Sequence, residues 1–145
     1  MYDKFNRRIN YLRISVTDRC NLRCFYCMPE CGVELMKHED ILRFEEVVEL
    51  VKVAVGMGID KVRITGGEPL VRKGIVGFIA ELSKIHGIRD LAMTTNGMLL
   101  HEFAEPLKDA GLHRINISLD TLNRERFKNI TQGSIKKWLK FLEQL

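Results

Sequence analysis

Two hydrophobic periods alternate along this chain. Between residues 11 and 16, Leu12, Ile14 and Val16 alternate with Arg13 and Ser15, a period of two that predicts a strand. From 44 to 57 the period lengthens. Phe44, Val47, Val48, Val51, Ala54 and Val55 keep helical spacing, and Gly56 and Gly58 mark the end. The cycle then repeats. Residues 61–65 predict a second strand that runs into Gly66-Gly67-Glu68-Pro69, and Ile75, Phe78, Ile79, Leu82 and Ile85 outline a second helix stopped near Gly87. Residues 90–95 predict a third strand, ending at the turn pair Asn96-Gly97. Leu100, Phe103, Ala104, Leu107 and Ala110 give a third helix before Gly111, and residues 114–119 a fourth strand. Polar helical sequence follows from Asn123, and Ile135, Trp138, Leu139, Leu142 and Leu145 form one more apolar stripe.

Strands separated by helices in this way imply βαβ units joined by right-handed crossovers, hence an α/β fold with a parallel sheet and helices outside it. Ligands in such folds bind at the C-terminal ends of the strands. Those ends carry the loop around Cys20, the Gly66-Gly67-Glu68-Pro69 turn, Thr94-Thr95-Asn96-Gly97 and Ser118-Leu119-Asp120. Every unusual cluster of residues therefore falls on one rim, which favours function over packing.

Composition bounds this picture. A chain of 145 residues with 46% hydrophobic content, no repeat and no linker reads as one domain, residues 1–145. No run approaches the roughly 20 apolar residues that span a bilayer, and the first residues lack the apolar stretch of a signal peptide. A cytoplasmic protein with no membrane partner is expected. The net charge of +4 is dispersed along the chain. It suits an anionic small ligand and lacks the clustered basic face expected of a nucleic-acid binder.

The cysteines change the picture most. All four lie between Cys20 and Cys31, whereas a disulfide framework would spread them along the chain. The spacing Cys20-x3-Cys24-x2-Cys27 puts three thiolates in one loop, and thiolates are the natural ligands of iron–sulfur clusters and zinc. Three ligands on a four-iron cube leave one iron open to a chelating ligand. On spacing alone, a zinc site with Cys31 as fourth ligand and a fully ligated cluster remain alternatives. Arg13 and Arg63 interrupt their strands. A guanidinium is costly to bury unless paired but suits bidentate contact with phosphate or carboxylate. Period-two alternation equally permits a solvated, outward-facing arginine.

The run from Asp18 through Arg19, Cys20, Asn21, Leu22, Arg23, Cys24, Phe25, Tyr26 and Cys27 to Met28-Pro29 resembles the cluster loop of the radical S-adenosylmethionine (SAM) enzymes. Thr65-Gly66-Gly67-Glu68-Pro69-Leu70 resembles their glycine-rich motif. Within that superfamily the chain is most similar to the GTP 3′,8-cyclases of molybdenum cofactor biosynthesis. The segments at 11–19, 61–65, 94–97 and 115–122 carry that similarity. It extends from about residue 8 to about residue 135.

The resemblance implies a 4Fe-4S cluster held by Cys20, Cys24 and Cys27, with Cys31 a bystander. It implies SAM chelated on the open iron and cleaved by one electron to methionine and a 5′-deoxyadenosyl radical. SAM would lie against Tyr26, Gly67 and Ser118, and GTP against Arg13, Arg63 and Thr94. Independently of the resemblance, Asp120 at the end of the fourth strand is expected to orient one of the arginines. The reaction implied is conversion of GTP to (8S)-3′,8-cyclo-7,8-dihydroguanosine 5′-triphosphate, a lyase activity fed by a flavodoxin-like electron donor. The alternatives are another radical SAM reaction or a non-catalytic iron–sulfur-binding fragment. The family's barrel has six β/α units and a C-terminal region with a second cluster. This sequence has four predicted strands and no second cysteine set. It is expected to be a partial (β/α) barrel, the N-terminal half of the family's fold. Weak or absent GTP cyclisation and self-association through the fourth strand's open edge are expected to follow.

Overall fold

The computed structural model describes residues 2–27, 32–136 and 139. Four strands, β1 (Tyr11–Ser15), β2 (Lys61–Thr65), β3 (Asp90–Thr95) and β4 (Arg114–Ile117), form one sheet in the order β1-β2-β3-β4. Every pairing is parallel. Between and after the strands run α1 (Phe44–Gly56), α2 (Ile75–Ser83), α3 (Leu100–Asp109) and α4 (Arg124–Thr131), with short 3-10 turns at His38–Asp40 and Pro69–Val71. The 3-10 turns are too short to leave a hydrophobic period, and the sequence does not announce them.

Spatial order follows chain order, so each right-handed crossover returns on the same side of the sheet. The helices therefore line one face, with α1 against α2 and α2 against α3. This is an arc of a β/α barrel rather than a doubly wound sheet, as the sequence predicts. The helix-covered face holds the main core. Val62, Ile64, Leu91 and Met93 from the inner strands meet Val47 and Val51 of α1, Ile75, Phe78, Ile79 and Leu82 of α2, and Leu107 of α3. Alternation sends the intervening residues to the other face. There the register aligns Arg13 with Arg63, Arg63 with Ala92, and Ala92 with Arg114. The two arginines inside strands thus leave the apolar pattern intact, because they belong to the face opposite the helices.

A second, smaller core lies at the rim. Leu22 of the cysteine loop, Met98 after β3, and Phe127 and Ile135 are buried together, with Cys20, Cys24 and Leu119 packed on them. Helix α4 starts at Asn123, whose side chain accepts hydrogen bonds from the Glu125 and Arg126 amides. Its end is tied to the loop, since Arg23 N–H donates to the Thr131 carbonyl at 2.9 Å and Phe25 N–H to that of Ile130 at 3.1 Å.

Two boundaries differ from the sequence pattern. β4 stops at Ile117, so Ser118 lies just beyond the strand, although its N–H still donates to the Thr95 carbonyl at 2.9 Å. The apolar stripe from Ile135 to Leu145 lies mostly outside the described residues, and Cys31 lies outside them entirely. Among the described residues no helix is long and apolar enough to cross a membrane.

Candidate active site

The cysteine loop leaves β1 at its C-terminal end, and its first residues are clamped against the turn after β2. Gly67 N–H donates to the Thr17 carbonyl at 2.6 Å, and Glu68 N–H to that of Arg19 at 2.8 Å. This clamp explains both glycines. A Cβ on Gly67 would stand 2.3 Å from the Arg19 carbonyl oxygen, and one on Gly66 would stand 2.7 Å from that of Thr17. The close approach that the sequence suggests is made here by the chain's own backbone. Gly67 itself remains exposed at the rim.

Glu68 is 1% exposed. Its Oε1 accepts from Leu70 N–H at 3.1 Å and from the Thr95 hydroxyl at 2.7 Å, and its Oε2 from Asn96 N–H at 2.7 Å. Burial pushes its carboxyl above the ordinary value, and these three donors pull it back. The Asn96 side chain continues outward. Its Nδ2 lies 2.8 Å from Asn21 Oδ1 and 3.7 Å from Cys20 Sγ. Glu68, Asn96 and Asn21 were not singled out from the sequence. The available signal was an acidic residue set between a strand end and a proline, opposite a Thr-Asn-Gly turn.

Cys20 and Cys24 are half-buried and Cys27 is exposed, and all three are free thiols. Cys20 Sγ also accepts from Leu22 N–H at 3.4 Å. Burial pushes the Cys24 thiol up. Cys27, Cys20 and Asp120 push the same way, while a hydrogen bond with Tyr26 pulls it down. Tyr26 is 56% exposed, yet its hydroxyl donates to Asp120 Oδ2 at 2.9 Å. Desolvation and that acceptor hold the phenol protonated, well above its ordinary range. Asp120 thus pairs with the tyrosine; among the described residues it makes no ion pair with an arginine, contrary to the role expected from the sequence.

Three soft donors on one loop fit thiolate ligation of an iron–sulfur cluster. Among the described residues no three ligating side chains converge on one point, as a single bound ion would require. A four-iron cube asks instead for one thiolate on each of three irons.

On the polar sheet face, Arg13 and Arg63 are register partners. Thr94 stands two residues beyond Ala92, the partner of Arg63 on β3. The structure therefore brings the three residues to one face. Arg13 reaches Thr65 Oγ1 at 3.4 Å. The Arg63 guanidinium lies 5.6 Å from the centre of the Tyr11 ring, and its Nε is buried without a hydrogen-bond partner. A buried donor of this kind fits an anionic acceptor. Tyr26 and Ser118 are exposed at the same rim as Gly67.

A one-sided β/α arc with a three-cysteine loop at the C-terminal rim defines a class. The chain belongs to the Radical SAM superfamily, whose family model matches residues 14–145. Membership implies a 4Fe-4S cluster and SAM. Its relatives are more specific. It is 58% identical over 145 residues to GTP 3′,8-cyclase of Peptoclostridium acidaminophilum, covering 99% of this chain and 45% of that protein. It is 61% identical over 132 residues to GTP 3′,8-cyclase of Heliobacterium modesticaldum, covering 91% and 40%. The chain thus spans less than half the length of these curated relatives.

Solved structures agree on the fold. Streptococcus suis SuiB bound to S-adenosylmethionine superposes with a TM-score of 0.70 at 20% identity, over 90% of this chain and 30% of that one. BtrN in complex with AdoMet and 2-DOIA gives 0.62 at 18% identity, over 86% and 51%.

Proposed function

We propose that this chain is the cluster- and SAM-binding part of a GTP 3′,8-cyclase of molybdenum cofactor biosynthesis. The observation that carries this reading is 58% identity to such a cyclase across 99% of the chain. Cys20, Cys24 and Cys27 hold the cluster. Tyr26, Gly67 and Ser118 bind SAM at the rim. Arg13, Arg63 and Thr94 bind GTP, and the pairing of Arg13 with Arg63 across neighbouring strands and the orphaned Arg63 Nε support that role. When bound, the cluster and SAM supply one-electron radical chemistry that protein side chains cannot. The chain's own residues position these groups. The Tyr26–Asp120 bond ties the cysteine loop to the segment after β4, and the second core seats the loop on α4. The electron comes from a flavodoxin-like donor. We assign the protein to the cytoplasm, where thiols stay reduced.

Anaerobic reconstitution with iron and sulfide tests the reading. The chain is expected to take up about four irons, and Cys24→Ala to lose them. With dithionite and SAM, the loaded chain is expected to release 5′-deoxyadenosine. A full cluster without that product would overturn the SAM-cleaving reading, and a chain that binds zinc in place of iron would overturn the cluster.

A further inference from the structure

We propose that Asn96, locked in place by the buried carboxylate of Glu68, donates a hydrogen bond to Cys20 Sγ and so raises the reduction potential of the cluster that Cys20 ligates. This rests on the cluster reading above and goes beyond it, by assigning a positioning residue outside the ligand set.

The orientation of the Asn96 amide follows from its neighbours. Met98 N–H donates to Asn96 Oδ1 at 3.0 Å, so the other end of the carboxamide is the nitrogen. That nitrogen faces two acceptors, Asn21 Oδ1 at 2.8 Å and Cys20 Sγ at 3.7 Å, and it carries one hydrogen for each. The sulfur distance lies within the longer range of hydrogen bonds to sulfur. The backbone of Asn96 is fixed independently. Its N–H ends on Glu68 Oε2 at 2.7 Å, while the Thr95 hydroxyl ends on Oε1 at 2.7 Å and receives Gly97 N–H at 3.0 Å. The turn from Thr95 to Gly97 is thereby built on one carboxylate that is 1% exposed. A chain of hydrogen bonds runs from that carboxylate to the sulfur.

An ordinary Asn turn accounts for the Met98 contact alone. It does not require the nitrogen to reach the cysteine loop. Cys20 also receives Leu22 N–H at 3.4 Å, so two N–H donors converge on this sulfur. Reduction adds negative charge to a cluster and its thiolates. Donors aimed at a ligating sulfur stabilise that charge and favour the reduced state. Glu68 acts one step further back, by holding the donor.

The test compares the wild-type chain with Asn96→Ser after anaerobic reconstitution. Iron content, melting temperature and the midpoint potential are measured, the last by electron paramagnetic resonance of the reduced cluster. A serine hydroxyl can still accept Met98 N–H, so iron content and melting are expected to hold. The reduced-to-oxidised ratio at a fixed applied potential is expected to fall about tenfold, which for a one-electron couple is about 59 mV more negative. A purely structural role would move melting and leave the potential alone. Asn96→Asp also keeps the Met98 acceptor but turns an anion toward the sulfur. It is expected to lower the potential further, and it decides the matter if the serine variant does not fold. An unmoved potential in a variant with wild-type iron content overturns the relay alone. A wild-type chain that takes up no iron overturns the cluster reading and the relay together.

Discussion

Gly67 has no room for a methyl group. The Arg19 carbonyl oxygen would lie 2.3 Å from its Cβ, and both partners are backbone, so neither can turn aside. Gly67→Ala is expected to destabilise the chain by about 1–3 kcal/mol or more through overpacking. Urea unfolding checks this as a lower midpoint at unchanged slope; an unchanged midpoint would contradict the clamp. The sequence marks Gly66 and Gly67 as a place of close approach, but it cannot say what approaches. The partners, Thr17 and Arg19, belong to a loop some fifty residues earlier, and parallel pairing leaves no local signature. Glu68 and Asn96 were hidden for the same reason. Each is unremarkable in its own segment, and its meaning lies in contacts across segments, from Thr95 and Asn96 to Glu68 and from Asn96 to the Cys20 sulfur. The cysteines were legible because their chemistry is local.

Helix α4 shows the same limit one scale up. Its existence is readable from Asn123 and the polar residues after it. Its purpose is not, because it buries little apart from Phe127 and Thr131. Phe127 packs with Leu22 and Met98, on which Cys20 and Cys24 rest. Phe127→Ala is expected to cost about 3–5 kcal/mol where the cavity does not collapse. It is also expected to release the cysteine loop, and iron uptake should fall with stability even though every thiol remains. Melting and iron content measured on the same sample check this. Full iron uptake in a destabilised variant would show that the loop holds its cluster without the helix. The strands and the helices α1 to α3 were legible throughout because each alternates or repeats against one continuous core. β4 reads longer than it is. The apolar alternation runs on through Leu119, while the strand ends at Ile117 and Leu119 turns instead to the second core.

Among the described residues the sheet ends in β1 on one side and β4 on the other. Among the described residues each of these strands pairs on one side only, and an outer strand of that kind is a natural template for another strand. Sedimentation velocity over a range of concentrations is expected to show reversible association of the isolated chain. A single monomeric species throughout would contradict it, and would mean that charged edge residues such as Arg114, exposed on β4, are enough to keep copies apart.

The second core also sets an order of assembly. Leu22 leaves the ribosome early and Phe127 late, yet the cysteine loop is seated only when the two meet. At about 5–20 residues per second of synthesis, the thiols wait roughly 5–20 seconds in a loop held so far only by the turns after β2 and β3. That interval leaves them reachable by whatever delivers iron and sulfide, and equally by oxidants. The seat closes afterwards, so the late helix is the last element to latch the cysteine loop in place.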